Sequence, residues 1–110
     1  MSMLDMPLKW LDTVQRLLAA HLPEAEVIAY GSRVNGSAHE GSDLDLVARN
    51  PADPLQPQSY LSDLRVAFSE SDIPIMVDIL DWARIPESFR QEIIRGGVVL
   101  VSEEKVLKAL

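Results

Sequence analysis

Short apolar segments alternate with amphipathic helical patterns along this 110-residue chain, and that alternation limits the folds it can adopt. In the longer stretches, apolar residues recur at intervals of three and four, as on the buried face of a helix. The shorter segments between them are nearly continuous in apolar residues, as in buried strands. The predicted order is α, β, short α, β, α, β, α, β, which is typical of one α/β domain around a single sheet.

Proline and glycine help to set the predicted boundaries. Pro7 and Pro86 suit the first turns of helices, and Gly96 suits a helix end. The predicted longer helices cover residues 7–22, 59–69 and 85–95. The predicted strands cover residues 26–30, 44–48, 75–80 and 98–101. The tail, residues 103–110, is compatible with one or two helical turns or with a frayed end.

Charge and composition exclude several classes of function. The chain carries 10 basic and 17 acidic residues, a formal charge of −7, so sequence-independent binding to nucleic acid is disfavoured. Because there is no cysteine, disulfides, thiolate zinc sites and a cysteine nucleophile are ruled out. No apolar run approaches the roughly 20 residues of a membrane span, and the N-terminus does not resemble a signal peptide. A cytoplasmic protein is therefore expected.

Two aspartates lie on one predicted strand. Asp43 and Asp45 are two residues apart, so their side chains should share a face of the sheet while Leu44 and Leu46 point into the core. Two neighbouring carboxylates repel each other, and a divalent cation such as magnesium relieves that repulsion with hard oxygen ligands. Taken alone, the pair is better explained by an ordinary half-buried strand with a polar outer face.

A third aspartate makes a metal site more attractive. Asp78 interrupts the apolar segment from Ile75 to Leu80, where an unpaired charge is costly. It could converge on a metal held by Asp43 and Asp45, or it could form a salt bridge with an arginine. The arginines available for such a bridge are Arg33, Arg49, Arg65, Arg84, Arg90 and Arg95. Asp81, three residues further on, fits a cap or turn position.

A glycine and a serine follow the first predicted strand. Gly31 would let a phosphate approach the backbone, and Ser32 can donate its hydroxyl or cap the helix that starts there. The N-terminus of that helix presents free N–H groups to an anion. Arg33 either adds positive charge for the phosphate or is a solvated surface side chain.

The combination of these motifs is more specific than any one of them. Gly31-Ser32, ten further residues, Asp43-Leu44-Asp45 and a later strand aspartate resemble the signature of the polymerase-beta-like nucleotidyltransferase superfamily. Within it, the chain is most similar to the minimal nucleotidyltransferases. The resemblance implies one domain over residues 1–110, with a mixed sheet of about four strands flanked by helices.

The resemblance also implies roles for individual residues. Asp43, Asp45 and Asp78 would be the catalytic residues and the ligands of two Mg²⁺ ions. The nucleotide, expected to be ATP, would be bound by four residues of the motif: Gly31, Ser32, Arg33 and Ser42. The reaction would be attack of an acceptor oxygen on the α-phosphate, with release of pyrophosphate.

Members of this family imply a partner as well. Minimal nucleotidyltransferases are typically paired with an all-helical HEPN protein, and as antitoxins they transfer AMP to a tyrosine of that toxin. This chain lacks the helical acceptor domain of larger relatives, so the acceptor is expected in trans. The alternative is a nucleotide-binding module that neutralises or assists its partner by contact alone. Transfer to a small molecule or an RNA end is disfavoured by the charge and the length.

Overall fold

The structure, a computed structural model, describes residues 4–101. The helices are α1 (Leu8–His21), α2 (Ser32–Asn35), α3 (Leu61–Glu70) and α4 (Glu87–Gly96). The strands are β1 (Glu26–Tyr30), β2 (Leu44–Arg49), β3 (Val77–Asp81) and β4 (Val98–Val101). A 3-10 turn (Trp82–Arg84) joins β3 to α4. The predicted order of elements is confirmed, and the predicted tail lies outside the described residues.

The four strands form one mixed sheet in the order β3-β2-β1-β4. Strand β1 runs antiparallel to β2 and to β4, whereas β2 and β3 are parallel. Parallel neighbours need a crossover connection, and α3 lies in the connection between them. The mixed sheet flanked by helices agrees with the predicted fold class.

The sheet buries both of its faces. On the first face, the strand residues Leu44, Leu46 and Ile79 pack with α1 and α3 in the main core. On the second face, a smaller cluster joins Ile28 and Val47 to Trp82 and to Ile93 of α4. Among residues 4–101, every helix is too short or too polar to cross a membrane.

Three predicted boundaries were wrong by a few residues, each for a local reason. Helix α3 begins after Tyr60, whose φ of 68° is left-handed and therefore not helical. Strand β3 starts at Val77, not at residue 75, because its partner β2 begins at the facing Leu44. Helix α4 starts at Glu87 because the 3-10 turn precedes it and Pro86 is extended.

Candidate active site

The three predicted aspartates come together at one end of the sheet. Asp45 and Asp78 face each other directly in the parallel register of β2 and β3. Adjacent strands lie about 4.8 Å apart, so the two side chains emerge as neighbours. Asp43 precedes β2 by one residue and belongs to the same face as Asp45. Leu44 and Leu46 are fully buried on the opposite face, as predicted.

These carboxylates have no cationic partner in the part of the chain that the structure describes. Within residues 4–101, the side chains of Asp43, Asp45 and Asp78 form no hydrogen bond and no ion pair. The predicted alternative fails: within residues 4–101, Asp78 forms no salt bridge with any of the six candidate arginines, and five of the six bind elsewhere. Arg49, Arg84 and Arg90 pair with Glu26, Asp81 and Glu87; Arg33 and Arg65 donate to backbone carbonyls. Within residues 4–101, no basic side chain therefore compensates the negative charge of the cluster.

The electrostatics of the cluster reflect this crowding. Partial burial, together with the charges of Asp78 and Asp43, raises the pKa of Asp45 above its ordinary value. Tyr30 faces Asp45 across β1 and β2. Burial, followed by the charges of Asp45 and Asp78, raises the pKa of the Tyr30 hydroxyl to about 12. The site is thus a concentrated negative field that favours a cation.

Gly31 forms the turn between β1 and α2 and lies against the cluster. Its φ of 83° and ψ of −154° belong to a region that is open essentially to glycine alone. A Cβ at this position would lie 2.7 Å from Oδ2 of Asp45, closer than any real contact. The turn thus brings bare backbone against a catalytic candidate, as a phosphate-binding turn requires. Because α2 has a single turn of four residues, its dipole adds little to anion binding.

The structure corrects the expectation for Arg33. Its side chain is neither solvated nor directed at a phosphate, because the residue is only 4% exposed. The guanidinium donates hydrogen bonds to the carbonyl oxygens of Asp5, Glu40 and Ser42. It also lies over the ring of Trp10, 5.7 Å from the ring centroid. Arg33 therefore ties the motif loop to the N-terminal segment.

The two predicted serines differ in their surroundings. Within the described range, the Ser32 hydroxyl forms no hydrogen bond, so it is free to donate to a ligand. The Ser42 hydroxyl accepts a hydrogen bond from the backbone N–H of His39, and the Ser42 carbonyl accepts from Arg33. Ser42 therefore shapes the loop that leads into Asp43.

Asp81 has the structural role that its position predicted. The residue is 6% exposed and accepts hydrogen bonds from the backbone N–H groups of Gln58 and Ala83. It also pairs with Arg84 at 3.3 Å. With its oxygens thus occupied, Asp81 belongs to the turn and not to the carboxylate cluster.

Tyr30 lies beside the candidate site, although the sequence analysis placed it only at the end of a predicted strand. Its ring packs edge-on against Phe89, with centroids 5.4 Å apart, and both rings line a cleft of about 320 Å³. Gly31 and Asn35 line the same cleft, which therefore reaches the Gly31 turn. The available signal was the position of Tyr30 immediately before Gly31, but its pairing with Asp45 depends on the sheet register.

The donor set suits a hard divalent cation, although it is not preassembled. Three unpaired carboxylates on adjacent strand ends are the ligands that Mg²⁺ and Mn²⁺ prefer. Among residues 4–101, no three acidic or histidine side chains are already arranged as a metal cluster. Asp43 and Asp78 have no protein partner to give up, so turning them toward Asp45 breaks no hydrogen bond within the described region.

Comparisons with known proteins agree with this geometry. Residues 13–106 match the family described as polymerase beta, nucleotidyltransferase. A probable protein adenylyltransferase, MntA, from Haemophilus influenzae is 40% identical over 109 residues, covering 97% of this chain and 92% of that protein.

Solved structures share the fold at lower identity. A toxin-antitoxin crystallised with AMP-PNP is 18% identical with a TM-score of 0.69, over 86% of this chain and 75% of that one. The toxin-antitoxin MntA-HepT is 15% identical with a TM-score of 0.64, over 90% and 75% of the two chains. At these identities the likeness concerns the fold. The family match and the relative in Haemophilus influenzae go further: this chain belongs to the polymerase beta nucleotidyltransferase family and is a nucleotidyltransferase.

Proposed function

We propose that this nucleotidyltransferase is an antitoxin that transfers AMP from ATP to a tyrosine hydroxyl of a HEPN-type partner protein. The observation that carries the proposal is the cluster of Asp43, Asp45 and Asp78, unpaired and placed beside the Gly31 turn. The name of the Haemophilus relative and the toxin-antitoxin structures support protein adenylylation and a toxin as partner. The acidic charge of −7 argues against RNA as the acceptor.

The chemistry is an in-line displacement at the α-phosphorus. The acceptor oxygen forms a bond to phosphorus while the bond to the bridging oxygen of pyrophosphate breaks. Asp78 accepts the hydroxyl proton, and the products are an AMP ester of the acceptor and free pyrophosphate. Gly31 and the Ser32 hydroxyl hold the phosphates. Divalent cations, held by Asp43, Asp45 and Asp78, would supply the positive charge that offsets charge on the phosphates when bound.

Transfer of label from ATP tests the proposal directly. The chain is incubated with Mg²⁺, ATP labelled in the α-phosphate and the product of the adjacent reading frame, tested as the HEPN-type partner. We expect label on a tyrosine of the partner, located by mass spectrometry, and a toxin that loses its activity. Absence of label on the partner would contradict the proposal.

Substitutions in the cluster identify the residues responsible. We expect Asp78→Asn to slow transfer at least a hundredfold, since it removes the proton acceptor. Asp43→Asn combined with Asp45→Asn should abolish transfer. Asp53→Asn, an exposed carboxylate in a distant loop, is the matched control and should leave the rate unchanged. If the double variant still neutralised the partner, contact alone would be sufficient and the catalytic proposal would fail.

A further inference from the structure

The strand order determines from which side an acceptor reaches the site. In the order β3-β2-β1, the Gly31 turn ends β1, Asp45 lies on the middle strand and Asp78 lies on the outer strand. In an in-line displacement, the entering and leaving oxygens stand on opposite sides of the phosphorus. With the leaving pyrophosphate on the Gly31 turn, the acceptor must enter over β3, at the edge of the sheet.

An apolar groove lies at that edge and ends at Asp78. It has a volume of about 490 Å³ and is formed by one face of α3 and the segment that leads into β3. Its lining includes Phe68, Ile73, Ile75 and Met76. Met76 is 68% exposed, so its apolar side chain is accessible to a ligand in the groove.

The backbone edge of β3 is partly covered. The Arg65 guanidinium donates a hydrogen bond of 2.6 Å to the carbonyl oxygen of Ile79. A ligand that paired its backbone with β3 would have to displace this arginine. The surface therefore suits recognition through side chains seated in the groove, and not the addition of a strand.

The charge around the groove selects the kind of ligand. Asp78 lines it, and Glu70 and Asp72, both exposed, flank its lining residues in the sequence. Arg65 is the basic residue of the lining, and it is engaged with Ile79. An apolar floor that ends at Asp78, with Glu70 and Asp72 next to lining residues in the sequence, favours a polypeptide that carries an apolar anchor near basic residues over the phosphates of RNA.

We propose that this groove, from Phe68 to Asp78, docks the polypeptide that receives the nucleotide. An apolar side chain of the acceptor protein packs against Met76, its basic residues lie toward Glu70 and Asp72, and its hydroxyl is presented to Asp78. The inference rests on the proposed function, because it identifies Asp78 as the end of the acceptor path. The docking surface goes beyond the proposed function, because the catalytic roles of the three aspartates do not depend on it.

The test compares two exposed apolar residues. Met76→Gln keeps the length of the side chain and removes its apolar character, and Leu8→Gln does the same on α1, where Leu8 is 76% exposed. The partner is the same product of the adjacent reading frame. Thermal unfolding verifies that both variants fold. Titration of the partner, without nucleotide, gives Kd, and steady-state transfer gives KM separately for the partner and for ATP.

We expect Met76→Gln to raise Kd and KM for the partner about tenfold, with KM for ATP unchanged, and Leu8→Gln to match the unsubstituted chain. Met76→Leu should restore normal binding. Equal partner affinity in Met76→Gln and the unsubstituted chain would overturn the inference, as would an equal loss in both glutamine variants or competition by RNA for the groove. A chain that binds its partner through Met76 but transfers nothing would contradict the proposed function alone.

Discussion

The negative charge of Asp45 suits it for binding a cation but lowers the stability of the fold. Burial and the charges of Asp78 and Asp43 raise its pKa in the folded chain. The folded state therefore holds the Asp45 proton more tightly than the unfolded state does, and ionisation of Asp45 destabilises the fold. This penalty is present above the folded pKa and disappears below the ordinary pKa, about 4.

Asp45→Asn should consequently raise the Tm at neutral pH when measured in EDTA, where no cation offsets the charge. The gain should shrink as the pH falls and vanish in strongly acidic buffer, where Asp45 is protonated in both states. Circular dichroism melts over a pH series measure it. Asp53→Asn, in an exposed loop, should leave the Tm unchanged at every pH. A lower Tm for Asp45→Asn at neutral pH would contradict this account.

Arg33 contributes stability through carbonyl oxygens that lie far apart in sequence. Arg33→Met removes its hydrogen bonds to Asp5, Glu40 and Ser42 and leaves half-buried carbonyls without a donor. We expect a loss of about 3 kcal/mol in the free energy of unfolding, measured by urea denaturation.

A surface arginine provides the control for this loss. Arg16 forms an exposed salt bridge with Asp12, so Arg16→Met should cost about 0.5 kcal/mol or less. Similar losses in the two variants would show that the buried hydrogen bonds of Arg33 add little.

At the scale of elements, periodicity and apolar runs predicted every strand and the three longer helices, because these patterns are local. The boundaries that differ depend on facts outside the pattern. Tyr60 adopts a left-handed φ that nothing in its neighbourhood signals, and β3 can begin only where Leu44 of β2 faces it. The burial of Arg33 could not be predicted from the local pattern either, because its hydrogen-bond acceptors include the distant Asp5.

The candidate site was predictable to the extent that it depends on strand alternation. The shared face of Asp43 and Asp45 follows from their spacing, and the apolar neighbours of Asp78 mark it as unusual. That Asp78 faces Asp45 depends on the register of β2 and β3, which comes from the whole sheet. Tyr30 entered the site through the register of β1 and β2 in the same way.

Helix α2 is flanked by a matched pair of glycines, Gly31 before it and Gly36 after it. Gly31 and Gly36 both have positive φ, but a Cβ at Gly31 would collide with Asp45, whereas a Cβ at Gly36 would point into open space. Gly36→Ala should therefore cost about 1 kcal/mol of stability from backbone strain and leave transfer intact. Gly31→Ala should cost about 3 kcal/mol and displace the Asp45 carboxylate, so that transfer falls at least a hundredfold.

Urea denaturation and the labelled-ATP assay measure the two effects separately. Equal activity in the two alanine variants would mean that the contact between Gly31 and Asp45 is dispensable for catalysis.

At the scale of the whole molecule, the sheet and its two cores hold three uncompensated carboxylates at one end. A ligand that binds only the folded chain adds its binding free energy to the stability of the whole domain. Cation and triphosphate must act together, because the triphosphate alone meets like charge and the cation alone lacks the oxygens that complete its coordination.

Mg²⁺ with a non-hydrolysable ATP analogue, at about a hundred times the Kd, should therefore stabilise the chain by about 2.7 kcal/mol. For a domain of this size the Tm should rise by roughly 10 °C. The analogue in EDTA should produce a much smaller shift, and Asp43→Asn combined with Asp45→Asn should remove the response, whereas Asp53→Asn keeps it. A full shift in EDTA would mean that the phosphates are held without a cation, and the roles proposed for the carboxylates would then be wrong.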